Sequence, residues 1–129
     1  MNTEKSRQIF ILEDQLLVRM ALKDLLAEML PPDCEVQEFP ALCLLEQACQ
    51  QAVPALIIAD LSVLDAGPAR VFEFLITQVP NEIPVIITTA NVEYQYLLRD
   101  QARFAVFPKG ETFEILYELL YGALKFSPA

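Results

Sequence analysis

Five short strand-like runs, QIFIL (8–12), CEVQEF (34–39), ALIIA (55–59), PVIITT (84–89) and FAVF (104–107), alternate with longer segments of helical periodicity. Five repeats of one strand–helix unit constrain the fold more than any other feature, because parallel strands joined by helical crossovers assemble in few ways. The first, third and fourth runs are continuously apolar, as expected of strands covered by helices on both faces. CEVQEF alternates instead, with Val36 and Phe39 among Glu35, Gln37 and Glu38, which suits a more exposed edge. The pattern predicts an α/β protein with a doubly wound, five-stranded parallel sheet and helices on both faces.

The helical segments are bounded by their prolines. The first carries Leu17, Met20, Ala21 and Leu25 at spacings of three and four, with Arg19, Lys23, Asp24 and Glu28 around the rest. It is expected to stop at PPD (31–33), since proline cannot continue a helix. A second helix fits 41–51, before Pro54, and a third about 69–79, before PNEIP. A fourth fits 92–101, exposing Glu93, Arg99 and Asp100, and a fifth runs from Glu111 to about Leu124. No linker, repeat or low-complexity stretch interrupts the series, so residues 1–129 read as a single domain. With 54% hydrophobic residues, such a domain can build its core without metal or disulfide staples.

Several function classes drop out on composition. Cys34, Cys43 and Cys49 have no CxxC spacing, and the chain has no histidine to complete a zinc site. The thiols read as reduced and mostly buried, in a cytoplasmic protein. MNTEKSRQ lacks the apolar core of a signal peptide, and no apolar run approaches the length needed to cross a bilayer. A net charge of -9 repels phosphate backbones and anionic lipid, so neither direct nucleic-acid binding nor membrane binding is expected. Lack of histidine also argues against triad hydrolysis and histidine acid–base catalysis. The three glycines, Gly67, Gly110 and Gly122, form neither GxxxxGK[ST] nor GxGxxG, so nucleotide cradles are not expected.

In open α/β sheets the ligand site lies beyond the carboxyl ends of the strands. Here those ends carry Glu13 and Asp14 after the first strand, Asp60 after the third, Thr88 and Thr89 on the fourth, and Pro108 and Lys109 after the fifth. Each has an ordinary reading: Asp14 as a helix cap, Asp60 as the start of a turn, the threonines as strand formers, Lys109 as a solvated turn lysine. Their joint placement favours a site. Three adjacent carboxylates repel unless a cation is present, and an oxygen-only ligand set with room for water suits Mg²⁺. Lys109 and Thr89 add a cation and a hydroxyl suited to phosphoryl oxygens, and a carboxylate among them can act as nucleophile to form an aspartyl phosphate. The haloacid dehalogenase design also has an Asp after a strand, but it wants a second Asp where this chain has Ser62.

Taken in order, the motifs resemble a response-regulator receiver domain of two-component signalling over essentially the whole chain. EDQLLVR is similar to the acidic-pair signature of the NarL/FixJ-type branch, IIADLSV to the phosphoacceptor strand, PVIITTA to the strand with the switch hydroxyl, and FPKG to the lysine loop. The resemblance implies a flavodoxin-like (βα)5 fold with strand order 2-1-3-4-5. It implies Asp60 as phosphoacceptor, Thr89 and Lys109 as phosphoryl-site partners, and Glu13, Asp14, Asp60 and the Ser62 backbone carbonyl as Mg²⁺ ligands. Thr88 falls to a structural role. The phosphoryl donor would be a phosphohistidine on a sensor histidine kinase or histidine phosphotransfer protein.

Further implications concern output. The family's switching face, formed by the fourth helix, fifth strand and fifth helix, would here include Tyr94, Tyr96, Arg99, Tyr117 and Glu118 and could serve a homodimer. The NarL/FixJ likeness fits residues 1–129 as the N-terminal part of a longer transcription regulator with a helix-turn-helix domain. The chain departs from the pattern after Asp60, where Leu64 replaces a usual Pro and Gly67 sits one place early. It also has Val106 at the switch-aromatic position, with Phe104 and Phe107 nearby, and Pro108 before rather than after Lys109. These departures support a rival reading, a phosphorylation-independent receiver-like module for docking or dimerisation.

Overall fold

A computed structural model describes residues 7–98 and 103–124. Strands β1 (Arg7–Leu12), β2 (Cys34–Phe39), β3 (Leu56–Asp60), β4 (Val85–Thr89) and β5 (Phe104–Pro108) alternate with helices α1 (Leu16–Met29), α2 (Leu42–Gln51), α3 (Pro68–Thr77), α4 (Val92–Leu98) and α5 (Phe113–Leu124). The strands pair in parallel in the order β2-β1-β3-β4-β5, as the sequence pattern and the resemblance led us to expect. β2 is an edge strand, which accounts for its alternating sequence. The expected fourth helix extended to residue 101; its last three residues, Arg99 included, lie outside the described residues.

Strand periodicity sends alternate side chains to opposite faces and so divides the core in two. Ile9, Ile11, Leu56, Ile58 and Ile86 pack with Leu22, Leu25 and Leu26 of α1 and Leu116, Leu120 and Leu124 of α5. Phe10, Leu12, Ile57, Ala59, Val85 and Ile87 pack instead with α2, α3 and Leu98 of α4. β1, β3 and β4 are thereby covered on both sides, which explains their unbroken apolar runs. α3 starts with Pro68 at its first turn, where the missing amide costs nothing.

Two expectations need correction. The buried face of α1 is not the expected one: Leu17, Met20 and Ala21 are exposed, and Leu25 alone of the predicted set is buried. The sheet takes the neighbouring stripe of Val18, Leu22, Leu25, Leu26 and Met29, which has the same helical spacing. Two overlapping apolar stripes run along this helix, and periodicity alone cannot choose between them. Nor are the cysteines mostly buried. Cys34 and Cys49 are half-buried and Cys43 is exposed, and none of the three is in a disulfide.

The displaced stripe leaves an apolar groove. Leu17, Ala21 and Phe113 help wall a space of about 400 Å³ that reaches Lys109 and Thr88. In chemical denaturation, Leu26→Ala is expected to cost about 3 kcal/mol, the usual loss for a fully buried leucine. Leu17→Ala should stay within about 0.5 kcal/mol of the parent. Equal losses at the two positions would contradict this assignment of the buried stripe.

Candidate functional site

The carboxyl ends of β1, β3, β4 and β5 bring together most of the residues singled out from the sequence. Carboxylate oxygens of Glu13, Asp14 and Asp60 lie within 4.8 Å of one another. Lys109 Nζ stands 3.1 Å from Asp60 Oδ2 and 3.5 Å from Glu13 Oε1. Glu13 is completely buried and Asp60 nearly so, whereas Asp14 is half-exposed. The cluster therefore has a dry floor and a wet rim.

Each side chain owes its place to its strand end and the turn that follows. Glu13 continues β1, its amide donating to the Phe39 carbonyl at 3.1 Å and its Oε2 accepting the Gln15 amide at 3.2 Å. Asp14 is not the cap of α1: Gln15 holds the cap position, and no side chain there accepts an amide bond. That removes the ordinary explanation for Asp14. Asp60 Oδ1 accepts the Ser62 amide at 3.1 Å, curling the chain tightly after β3.

Thr89 ends β4 and is buried; its hydroxyl oxygen accepts the Asn91 amide at 3.0 Å. A threonine hydroxyl that accepts one bond still carries a proton to donate. The Thr89 carbonyl takes the Lys109 amide at 2.9 Å, which ties the lysine to the end of β4. Gly110, at φ 97°, then turns the chain away, a conformation that favours glycine. Thr88 pairs in register with Asp60, but its buried Oγ1 has no hydrogen-bond partner. The Phe107–Pro108 peptide is trans, as are all those described.

Electrostatics follow from this packing. Burial, and then the facing Asp60 carboxylate, push Glu13 from its ordinary 4.5 up to about 7. Burial alone would lower the Lys109 ammonium, but its hydrogen bond and charge attraction to Asp60 and then Glu13 raise it on balance. One ammonium facing two buried carboxylates leaves net negative charge. Glu13 Oε1, buried and without a hydrogen bond, points to a further cation. A hard divalent ion with oxygen ligands fits this donor set, and Mg²⁺ in particular needs only one or two carboxylates besides water.

Sequence reasoning missed two residues that hold the site loops. Arg19, expected on the polar side of α1, donates from Nη1 to the Glu13 carbonyl at 2.9 Å and from Nε to Glu38 at 3.3 Å. Asp65 accepts the amides of Leu42 and Cys43 at the start of α2. The segment before α2 has no good capping residue, a visible sign that the acceptor must come from elsewhere, though not from where.

The residues expected on a switching face are only partly exposed. Tyr96 and Glu118 are exposed, while Tyr94 and Tyr117 are half-buried, Tyr94 lying 6.3 Å from Phe72 between ring centroids. Phe104 and Phe107, the nearest aromatics to Val106, are both buried in the core on opposite faces of the sheet.

No protein-family profile matches the sequence, and no curated protein matches it. Solved structures do. The response regulator TrrA of Thermotoga maritima, in complex with Mg²⁺ and BeF, superposes with a TM-score of 0.75 at 20% identity, over 92% of this chain and 99% of that one. The receiver domain of the sensor histidine kinase PA1611 from Pseudomonas aeruginosa, with magnesium in its active-site cleft, gives 0.72 at 14% identity, over 93% and 98%. The receiver domain of the Erythrobacter litoralis response regulator PhyR gives 0.71 at 22% identity, over 96% and 94%. These likenesses are not specific to the NarL/FixJ branch. The chain has the five-stranded fold of response-regulator receiver domains.

Proposed function

We propose that this chain is a phosphoacceptor receiver of a two-component system, with Asp60 accepting a phosphoryl group. The observation that carries this reading is Lys109 Nζ at 3.1 Å from Asp60 Oδ2, with the carboxylates of Glu13 and Asp14 beside them. The Asp60 carboxylate attacks phosphorus in a partner's phosphohistidine; a P–O bond forms, the P–N bond breaks, and the imidazole leaves with a proton from solvent. Lys109 offsets charge on the phosphoryl oxygens, and the Thr89 hydroxyl donates to one of them. Glu13, Asp14, Asp60 and the Ser62 carbonyl would hold Mg²⁺, whose charge, when bound, offsets that of the carboxylates and phosphoryl oxygens.

The donor in this reading is a sensor histidine kinase or histidine phosphotransfer protein. The exposed Leu17, Met20 and Phe113 offer it apolar contact beside the site. The α4–β5–α5 face serves as a homodimer or output surface, and residues 1–129 form the receiver of a regulator whose output includes transcription, working in the cytoplasm. Among the described residues no helix is long and apolar enough to cross a membrane.

Val106 and Leu64 favour a second reading. With Phe104 and Phe107 buried, no aromatic of β5 is exposed to reorient, and the loop after Asp60 has lost its usual proline. A module that acts by docking or dimerising without phosphorylation would tolerate both changes. It gives no reason for the Lys109–Asp60–Glu13 cluster.

Intact mass after incubation with Mg²⁺ and a small acyl phosphate separates the readings. One added phosphoryl group, absent from Asp60→Ala, is expected; no gain while Mg²⁺ demonstrably binds would select the docking module. Leu17→Asp should slow transfer from a phosphohistidine protein by about tenfold or more while leaving uptake from the small donor unchanged, as for loss of one interface anchor.

Glu13 sets a pH dependence. Its native carboxyl is raised, so the folded state binds the extra proton, and the stability linked to it is full below about 4.5 and lost as pH rises towards about 7. Metal-free protein should therefore melt lower at pH 8 than at pH 5.5 through this group, and Glu13→Gln should flatten that slope. Saturating Mg²⁺ should raise the melting temperature at pH 8, and more for the parent than for Glu13→Gln. A parent profile unaffected by the substitution would refute this assignment.

A further inference from the structure

α2 starts without a cap of its own. Ala41 occupies the cap position in extended conformation, and no side chain there accepts a bond. The missing acceptor comes from the loop between β3 and α3. Asp65 takes the Leu42 amide on Oδ1 at 2.9 Å and the Cys43 amide on Oδ2 at 3.1 Å. Both oxygens are used, and a negative charge at a helix start is electrostatically favourable.

That loop carries the Ser62 carbonyl and begins at Asp60. Its base is held by the Ser62 amide on Asp60 Oδ1, the Leu61 amide on the Thr88 carbonyl at 3.4 Å, and the buried side chains of Leu61 and Val63. Its tip is closed on itself by the Ala66 amide on the Val63 carbonyl at 3.3 Å, but no side chain there is buried against the core, Leu64 being 93% exposed. Asp65 bridges from the tip to a different element, and one turn into α3 Arg70 pairs with Glu46 of α2. We infer that Asp65 is a positioning residue: it tethers the tip of the Asp60 loop to α2 and thereby fixes where the Ser62 carbonyl stands relative to Asp60. For its consequence in phosphoryl transfer, this rests on the reading of Asp60 as phosphoacceptor.

An exposed carboxylate adds little to global stability through charge alone, whereas small displacements of a reacting group are costly in rate. A cap and a tether are thus separable. Asp65→Ala removes both. Ala41→Ser in that background restores a cap to α2 from its own chain without restoring the tether.

Three readouts are compared in parent, Asp65→Ala, Asp65→Asn and Ala41→Ser/Asp65→Ala: melting temperature, amide exchange of residues 61–67 by NMR, and phosphoryl uptake from an acyl phosphate with Mg²⁺. Asp65→Ala is expected to speed loop exchange and slow uptake by about tenfold each, a modest share of the rate that positioning can control. Ala41→Ser should recover the melting temperature but neither of the other two. Asp65→Asn, which keeps one acceptor oxygen, should fall between and carries the comparison if Asp65→Ala does not fold.

Parental loop exchange in Asp65→Ala, or its full recovery on adding Ala41→Ser, would overturn the tether and leave Asp65 a helix cap only. Failure of the parent itself to take up phosphate would count against the receiver reading. The exchange comparison, which needs no phosphate, would still decide the tether.

Discussion

The ion cluster of Lys109 with Asp60 and Glu13 is the constraint around which the carboxyl edge of the sheet is arranged. Two carboxylates buried at the ends of adjacent strands would be costly alone, because burial and like charge both oppose ionisation. A single lysine, delivered from β5 across the end of β4, offsets part of that cost. The remainder appears as the raised Glu13 carboxyl, whose Oε1 has the Lys109 ion pair but no hydrogen bond. Replacing buried ion pairs by apolar side chains of similar volume is often neutral or stabilising, so stability alone does not account for the cluster.

Holding such a cluster together requires the strand ends to be level. Parallel pairing supplies this, since Asp60 pairs with Thr88 and Thr89 with Pro108, placing Thr89 and Lys109 just beyond Asp60. The Thr89 carbonyl then receives the Lys109 amide, and Gly110 turns the chain away without strain. Fold and site are here the same constraint: a one-residue slip of β5 would send Lys109 to the other face.

Strand runs and strand ends were legible in the sequence because burial on both faces leaves an unbroken apolar run, and a polar residue closing it is conspicuous. Glu13, Asp14, Asp60 and Thr89 carry that signature, and Lys109 a weaker form of it after the edge strand β5. The buried stripe of α1 was not legible, because Leu17, Met20 and Ala21 fit helical spacing as well as Val18, Leu22 and Leu26 do. What separates them is tertiary: the sheet and α5 pack on Val18, Leu22, Leu25 and Leu26, while Arg19 bonds the Glu13 carbonyl. Arg19 and Asp65 escaped for a related reason. Their partners, Glu38 and the start of α2, are distant in sequence, so no local pattern marks them.

Those two missed residues converge on one place. Arg19 fastens the β1–α1 turn to Glu38 at the end of β2, and the Glu13 amide reaches the Phe39 carbonyl next to it. Asp65 fastens the Asp60 loop to the first turn of α2, and Arg70 adds a pair to Glu46 within the same helix. The segment from Glu38 to Glu46 contributes no side chain to the ion cluster, yet both acidic loops lean on it. It lies on an edge strand and a ten-residue helix, where packing is less complete than at the sheet centre. A cluster whose carboxylates, Glu13 and Asp14 on one side and Asp60 on the other, hang from separate loops needs a common reference. In this fold the reference is the polar bonding of the β2–α2 junction, and so the geometry of the charged centre depends on bonds made at the edge of the sheet.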